Sequence, residues 1–183
     1  GAFGYPGIGA QNVSPYVGPP LDATLRRLAP GASDAIILRM VAKYRERYGT
    51  VGYAENVVYP GVPEALEHLA SCGVRMGVCT SKRVDFAEQI LTHFQLRSHF
   101  VFVSGGDVGV SKNAQLKVLR ERGDVGAGTA LIGDRADDVA AARGNALRSI
   151  AVLWGHGSRE ELFEAGPDQL LETPEQLNTL GHT

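Results

Sequence analysis

The spacing of apolar residues divides the chain into two parts. Across residues 21–49 the apolar side chains recur at helical intervals, with one interruption at Pro30-Gly31. This pattern predicts a pair of helices, and Ser33 is placed to cap the second of them. After Pro60 the pattern changes to short apolar runs that alternate with amphipathic segments. The two parts therefore differ in architecture.

The alternating part has the pattern of a parallel α/β fold. Four apolar runs have the length of strands and are separated by segments with one apolar face. Runs that are apolar on both faces favour a parallel sheet with helices on either side. We therefore expect an α/β fold whose core is a three-layer parallel sheet. The predicted strands are 74–79, 100–103, 130–132 and 150–153, and the predicted helices are 62–72, 86–96, 114–122 and 139–145.

Composition narrows the classes of function. The 183 residues include 18 Lys and Arg against 20 Asp and Glu, a formal net charge of −2 that disfavours a nucleic-acid partner. The apolar runs are far shorter than the roughly 18 residues of a membrane helix, so we expect no membrane partner. Cys72 and Cys79 lack the spacing of a zinc site or a disulfide framework. These features favour a soluble, cytoplasmic protein and leave its oligomeric state open.

Candidate chemistry lies where the predicted strands end, because open parallel sheets bind ligands beyond the carboxyl ends of their strands. Residues 133–138 follow the third strand. A helix that starts at Ala136 or Asp137 would turn Asp134 and Asp138 towards one cleft. Two carboxylates about 4 Å apart repel by roughly 4 kcal/mol at an effective dielectric constant near 20, and Mg²⁺ would remove that repulsion. Alternatively, the acids only stabilise a helix N-terminus through its dipole.

Hydroxyl and lysine side chains follow the first two predicted strands. Thr80-Ser81 lies between a strand and a helix, where hydroxyl and N–H groups can hold a phosphate, although a helix N-cap is the simpler role. Lys112 stands at the start of the next helix, where a positive charge opposes the helix dipole. Its position indicates pairing with the carboxylates of the Asp134 segment or with a bound anion, unless the lysine is merely solvated.

Together these segments resemble the haloacid dehalogenase superfamily of phosphatases, and most closely its phosphoglycolate phosphatase-like members with a helical cap. The resemblance covers most of the chain. It implies a Rossmann-like core in residues 57–183 and a helical cap in residues 1–56 that is incomplete at its start. The segments that carry it are 17–21, 44–48, 55–56, 59–62, 80–82, 86–87, 90–91, 93–94, 133–135 with Asp138, 155–158 and 160–162.

The resemblance implies a role for each candidate residue. Thr80 is similar to the hydroxyl residue that binds the transferring phosphoryl group, with Ser81 beside it. Lys112 is similar to the lysine that neutralises the charge of phosphate and nucleophile. Asp134 and Asp138 are similar to the acids that hold Mg²⁺ directly or through water. The resemblance therefore implies Mg²⁺-dependent hydrolysis of a small phosphorylated metabolite rather than metal-free dehalogenation.

One motif of the family is absent from the sequence. The family begins with a buried strand ending in DxDGT, whose first Asp forms an aspartyl-phosphate and whose second Asp is the general acid/base. No Asp-x-Asp pair occurs here, so the core would lack its first, central strand and the other strands would separate into two groups. Three explanations stay open: a leading segment that precedes this sequence, a substitute strand in residues 1–11, or a pseudoenzyme that keeps the phosphate site.

Two further functions remain as alternatives to the enzyme. A catalytically inactive phosphatase-like protein would bind phosphate or a metabolite as a regulatory module. A receiver-like or flavodoxin-like signalling domain shares the topology but leaves the predicted helices before Pro60 unexplained. Packing of residues 21–49 over the ends of the strands would argue against the signalling domain.

Overall fold

The computed structural model of the protein describes residues 3–5 and 14–182. Within these ranges two helices come first, and five further helices then alternate with five strands. This order confirms the α/β class predicted from the apolar pattern. The helices are α1 (Leu21–Leu28), α2 (Asp34–Thr50), α3 (Val62–Ser71), α4 (Val84–His93), α5 (Lys112–Glu121), α6 (Ala136–Gly144) and α7 (Arg159–Ala165); the strands are β1 (Met76–Thr80), β2 (Phe100–Gly105), β3 (Ala130–Gly133), β4 (Arg148–Val152) and β5 (Gln169–Leu171).

All strand pairs in the described residues are parallel, but they form two separate sheets. β1 pairs with β2, placing Val78 opposite Val103. β4 lies between β3 and β5, placing Ile150 opposite Ile132. No strand of the described chain lies between β1 and β3. This is the arrangement expected of a parallel sheet without a central strand, because each of the two facing strands keeps a single neighbour.

The core lies in two layers on opposite faces of the strands. Neighbouring residues of a strand point to opposite faces, and accordingly Ala130 and Leu131 of β3 contact different apolar clusters. The first cluster packs α3 against β4 and includes a contact to Met76 of β1. The second packs α5 against α6 and includes a contact to Cys79 of β1. Helices therefore cover both faces and hold the two sheets together, which produces a three-layer core.

The helices α1 and α2, here called the helical pair, have an apolar cluster of their own. Ile37 and Val41 of α2 are buried beside Ala29, which directly follows α1. Ser33 caps α2 as predicted, since its hydroxyl oxygen accepts a hydrogen bond from the N–H of Ile36 at 3.4 Å. Within the described ranges, no helix is both long enough and apolar enough to cross a lipid bilayer.

Several element boundaries differ from the prediction. α5 begins at Lys112 and α6 at Ala136, earlier than the apolar pattern indicates, because the first turns of these helices carry polar residues. The prediction also lacks α7 and β5, and a strand of three residues such as β5 leaves no recognisable period. The substitute strand considered for residues 1–11 lies mostly outside the described residues. The boundary between residues 56 and 57 stays a prediction.

Candidate functional site

The predicted site residues lie at the carboxyl ends of β1 and β3. Thr80 is the last residue of β1, and Asp134 directly follows β3. Lys112 is the first residue of α5, and Asp138 lies in the first turn of α6. Lys112 and Asp138 contact one another, so the ends of the two sheets meet at this point. We call the region around these four residues the site edge.

Lys112 and Asp138 form a partly buried ion pair at the site edge. The Lys112 ammonium group contacts Asp138 Oδ1, and the two side chains are 20% and 5% exposed. Asp138 Oδ2 accepts a hydrogen bond from the N–H of Arg135 at 3.0 Å. Both carboxylate oxygens are thus paired, as burial of a carboxylate requires. The positive charge of Lys112, which opposes the dipole of α5, is therefore paired with the carboxylate of Asp138.

Asp134 is held in a pocket formed by glycines. Its Oδ2 accepts a hydrogen bond from the N–H of His156 at 2.7 Å. A side chain at Gly155 would overlap the Asp134 carboxylate, and a side chain at Gly157 would overlap the Asp134 carbonyl oxygen. Asp134 Oδ1 has no hydrogen-bond partner among the described residues, so it can bind a ligand. Partial burial and the charge of Asp134 both raise the pKa of Tyr59.

Asp134 and Asp138 are the carboxylates of the site edge that would supply oxygen donors to a metal. In residues 3–5 and 14–182, no three His, Cys, Asp or Glu side chains are grouped so as to hold a metal ion. Mg²⁺ needs fewer, because it takes one or two protein carboxylates and completes its shell with water and phosphate oxygens. The number and chemistry of these carboxylates therefore fit Mg²⁺: Asp134 Oδ1 has no other bond in the described structure, whereas both oxygens of Asp138 already have hydrogen-bond partners.

Thr80 has a hydroxyl proton that it can donate. Its Oγ1 accepts a hydrogen bond from the N–H of Lys82 at 3.2 Å, and the described part of the chain contains no acceptor for its own proton. Its carbonyl oxygen accepts from Gly106 N at 2.7 Å and from Gln115 Nε2 at 3.1 Å. A Cβ built on Gly106 would lie 2.8 Å from the Ser81 carbonyl oxygen. These contacts to its backbone therefore fix the position of Thr80 and leave its hydroxyl proton without an acceptor in the described structure.

Cys79 shows how close the end of β1 lies to the ion pair. Burial raises the pKa of its thiol to about 11, an effect that the charge of Lys112 opposes and that of Asp138 increases. Because Cys79 directly precedes Thr80, both Lys112 and Asp138 lie within electrostatic reach of the end of this strand. The structure thus brings Lys112 and Asp138 together and places Thr80 next to a thiol that both charges influence. Ser81 makes no side-chain hydrogen bond among the described residues.

Contacts from α2 attach the helical pair to the loops at the strand ends. Arg45 forms an ion pair of 2.5 Å with Asp107, which follows β2. The hydrogen bond from Arg45, and a second from the N–H of Val108, lower the pKa of Asp107. Tyr48 accepts a hydrogen bond from Lys82, which follows β1. The helical pair therefore lies over the ends of β1 and β2, which argues against a lone signalling domain.

Arg135 connects the Asp134 loop to α7. Its Nε donates to Glu161 Oε1 at 2.8 Å, and the same oxygen accepts from the N–H of Ala136 at 2.9 Å. Burial alone would raise the pKa of Glu161, but these hydrogen bonds outweigh burial and lower it. Arg135 also donates to the Val17 carbonyl oxygen. This geometry gives Arg135 an orienting role beside the acids rather than a place among them.

Three contributors to the site edge were not predicted from the sequence. Gln115 donates a hydrogen bond to the Thr80 carbonyl oxygen. The sequence feature that could have identified it is its position four residues before Leu119, on the buried stripe of α5 where polar residues are unusual. Lys82 and Tyr48 meet across 34 positions of the chain, and such a contact leaves no local pattern. The missed residues are therefore those defined by long-range contacts.

The fold and the site edge define a class of α/β proteins, in which parallel strands collect a hydroxyl group, a lysine and two carboxylates at their carboxyl ends. The family model described as haloacid dehalogenase-like hydrolase matches residues 1–152. The chain therefore belongs to the haloacid dehalogenase-like hydrolase family, and the predicted Rossmann-like α/β fold is confirmed by its structural neighbours.

Similar proteins include phosphatases and one kinase. The chain is 29% identical over 187 residues to a phosphoglycolate phosphatase of Vibrio parahaemolyticus, with 96% of this chain and 82% of that protein covered. It is 34% identical over 153 residues to tyrosine-protein kinase PtkA of Mycobacterium tuberculosis, covering 77% of this chain and 49% of PtkA. The chain thus spans about half the length of that relative.

A solved structure agrees with these relatives. The crystal structure of a predicted phosphatase from Clostridium acetobutylicum matches with a TM-score of 0.87 and 30% identity, over 95% of this chain and 82% of that one. The family model, the phosphoglycolate phosphatase relative and this neighbour confirm the predicted resemblance to phosphoglycolate phosphatase-like members of the family.

Proposed function

We propose that the protein is a Mg²⁺-dependent phosphomonoester hydrolase that acts on a small phosphorylated metabolite. The observation that carries the proposal is that Lys112 and Asp138 contact one another beyond the ends of the strands, while the Thr80 hydroxyl proton and Asp134 Oδ1 have no partner among the described residues. Membership of the family and the phosphatase relatives support it. These side chains match the needs of a phosphate dianion, which requires hydrogen-bond donors and positive charge.

Thr80 and Lys112 would bind the phosphoryl group. The Thr80 hydroxyl can donate to a phosphate oxygen because its oxygen already accepts from Lys82 N and its proton has no acceptor among the described residues. Lys112 adds positive charge, and hydrogen bonds to ionised groups are roughly twice as strong as neutral ones. Asp138 holds the Lys112 ammonium group at the site edge. Ser81, next to Thr80, offers a second hydroxyl.

Asp134 and Asp138 would hold Mg²⁺. The glycines that surround Asp134 leave space for its carboxylate, and one of its oxygens has no bond to the described residues. When bound, Mg²⁺ supplies positive charge that offsets the charge of the phosphate. Lys112, which contacts Asp138, would add a second positive charge beside the same anion.

The nucleophile is the part of the proposal that the sequence does not carry. The proposed reaction needs an Asp carboxylate that attacks phosphorus while a second acid protonates the leaving oxygen, followed by hydrolysis of the aspartyl-phosphate. No Asp-x-Asp pair occurs in the sequence. The second candidate, for a natural protein without such a pair, is a catalytically inactive phosphatase-like protein that binds phosphate or a metabolite and serves a regulatory role.

Phosphate release from p-nitrophenyl phosphate by the full-length natural protein separates the two candidates. The enzyme is expected to release phosphate in the presence of Mg²⁺ and to lose this activity with a chelator or in Lys112→Ala. Activity that survives either change would contradict the hydrolase. Calorimetric binding of phosphate or Mg²⁺ without release would support the inactive protein, and binding of neither ligand would exclude both candidates.

The state of the two cysteines bears on the compartment in which the protein acts. Cys72 and Cys79 are free thiols in the structure, and unpaired cysteines are usual in a reducing compartment such as the cytoplasm. We propose a cytoplasmic protein whose partner is a small phosphorylated metabolite. Partial burial of Cys79 and the exposure of Cys72 make the two thiols distinguishable by experiment.

A further inference from the structure

Gln115 is a buried amide directly behind the site edge. It lies on α5, one turn after Lys112, and it is only 5% exposed. Glutamine is seldom buried to this extent, and a buried amide without hydrogen bonds would destabilise the fold. The partners of this side chain therefore indicate why a polar residue occupies the apolar stripe of α5.

The Gln115 amide joins three elements of the fold. Its Nε2 donates a hydrogen bond to the Thr80 carbonyl oxygen at 3.1 Å. Its Oε1 accepts from Ser104 Oγ at 3.1 Å and from the Cys79 thiol at 3.9 Å. A carbonyl oxygen can only accept, so the bond to Thr80 requires the NH₂ group of the amide on that side. The amide thus ties the ends of β1 and β2 to α5.

The bond from Gln115 completes the environment of the Thr80 carbonyl group. That oxygen also accepts from Gly106 N at 2.7 Å, so both of its lone pairs have a donor. The Gly106 bond holds β1 to the end of β2, whereas the Gln115 bond sets the position of Thr80 relative to α5. Because α5 begins with Lys112, one helix holds both the hydroxyl residue and the cation of the site edge.

We propose that Gln115 is a positioning residue for phosphate binding: it fixes the end of β1 against the first turn of α5, so that the Thr80 hydroxyl and the Lys112 ammonium group face the same anion. This inference rests on the proposed function. Gln115 itself makes no contact with the anion, and its effect passes through the Thr80 backbone. A side chain of equal volume without hydrogen bonds should therefore fill the space and still fail to orient the site.

Calorimetric titration of the full chain with inorganic phosphate tests this role in Gln115→Met and in a matched control. Methionine has a similar volume but cannot bond Thr80. The control is Ser149→Ala on β4, where a serine 4% exposed loses its hydrogen bonds to Asp168 away from the site edge. We expect Gln115→Met to bind phosphate about tenfold more weakly, because it loses one hydrogen bond that orients the site. Ser149→Ala should bind phosphate as the wild type does. Both variants should have lowered melting temperatures.

A second variant tests the donor directly. In Gln115→Glu the ionised carboxylate cannot donate to the Thr80 carbonyl oxygen, but the protonated carboxyl can. Because burial at this position raises the pKa of a carboxyl group, the ratio of variant to wild-type phosphate affinity should be low at pH 8 and rise as pH falls towards 5. Cys79 remains a neutral thiol across this range because burial raises its pKa to about 11. Lys112 and Asp138 are present in both the wild type and the variant, so the ratio compares proteins that differ only at residue 115.

The outcomes separate this inference from the proposed function. A wild-type chain that binds no phosphate would overturn the proposed function, and the role of Gln115 with it. A wild-type chain that binds phosphate, together with a Gln115→Met variant that binds it equally well, would overturn the positioning role alone. If Gln115→Met does not fold, the Gln115→Glu variant decides the question: a ratio of variant to wild-type phosphate affinity that does not change with pH would overturn the positioning role.

Discussion

Lys82 donates a hydrogen bond to the phenolic oxygen of Tyr48, 2.8 Å from its Nζ, and lies 4.3 Å from the centre of the Tyr48 ring. Lys82 belongs to the loop that carries Thr80, and Tyr48 belongs to the last turn of α2. The Tyr48 hydroxyl also accepts from Asn56 Nδ2 at 3.1 Å. This contact couples the loop of the site edge to the helical pair.

Tyr48→Phe should loosen that coupling. The change keeps the ring that packs on Phe86, with centres 5.2 Å apart, but removes the hydroxyl that Lys82 contacts. We expect a loss of about 1 kcal/mol of stability and faster amide hydrogen exchange in residues 80–84, measured by mass spectrometry. Tyr44→Phe is the control, because Tyr44 stacks on Tyr48 and has no comparable hydrogen bond among the described residues. Equal exchange in both variants would contradict the coupling.

Lys112→Met should destabilise the protein and remove phosphate binding. It leaves the 5% exposed carboxylate of Asp138 without its cation. Because the Lys112 side chain is 20% exposed, we expect a loss of stability below the about 3–5 kcal/mol of a fully buried ion pair. Urea denaturation measures this loss. Adding Asp138→Asn should restore part of the stability by removing the unpaired charge, yet phosphate binding should stay lost. Recovery of binding in the double variant would show that Lys112 acts only on stability.

Gly155→Ala should impair metal binding, because its Cβ would overlap the Asp134 carboxylate and displace it. We expect at least about tenfold weaker Mg²⁺ binding, about 1.4 kcal/mol, measured by calorimetry. Gly126→Ala is a matched control, since a Cβ there meets no atom within 4 Å. Unchanged Mg²⁺ affinity in Gly155→Ala would exclude Asp134 as a ligand.

The contact between Arg45 and Asp107 should depend on pH. The hydrogen bond from Arg45, with help from the Val108 N–H, lowers the pKa of Asp107 below its usual value near 3.9. A lowered carboxyl pKa stabilises the fold above the unfolded-state pKa, and this stabilisation disappears as pH falls through the lowered value. The difference in melting temperature between wild type and Asp107→Asn should thus be constant from pH 5 to 7 and shrink progressively as pH falls below the ordinary carboxyl pKa. A difference that does not change as pH falls would contradict the role of the charge.

The two cysteines should differ in reactivity. Burial raises the pKa of Cys79 to about 11, so at pH 8 its reactive thiolate form is scarce, whereas Cys72 is exposed. Iodoacetamide at pH 8 should modify Cys72 within minutes and leave Cys79 unmodified until the protein is unfolded, as peptide mass spectrometry can show. Rapid modification of Cys79 in the folded protein would contradict the packing of β1 against α5.

Local patterns were sufficient for most of the fold. Strands β1 to β4 and the helices between them follow from apolar runs and amphipathic periods, because residues buried on two faces or on one stripe leave a repeating signal. Ser33 was identified as a cap for the same reason, since capping depends on neighbouring residues. β5 escaped prediction because its three residues are too few to show a period.

The sequence by itself determined which residue types stand at the strand ends, because chain order places Thr80, Lys112 and Asp134 after successive strands. Only the tertiary structure decided their partners. Asp138 meets Lys112 across 26 positions, and Gln115 reaches the Thr80 carbonyl oxygen across 35. These contacts arise from the packing of α5 and α6 on two sheets. A buried charge or amide must find a partner, but which partner it meets is set by that packing and not by neighbours along the chain.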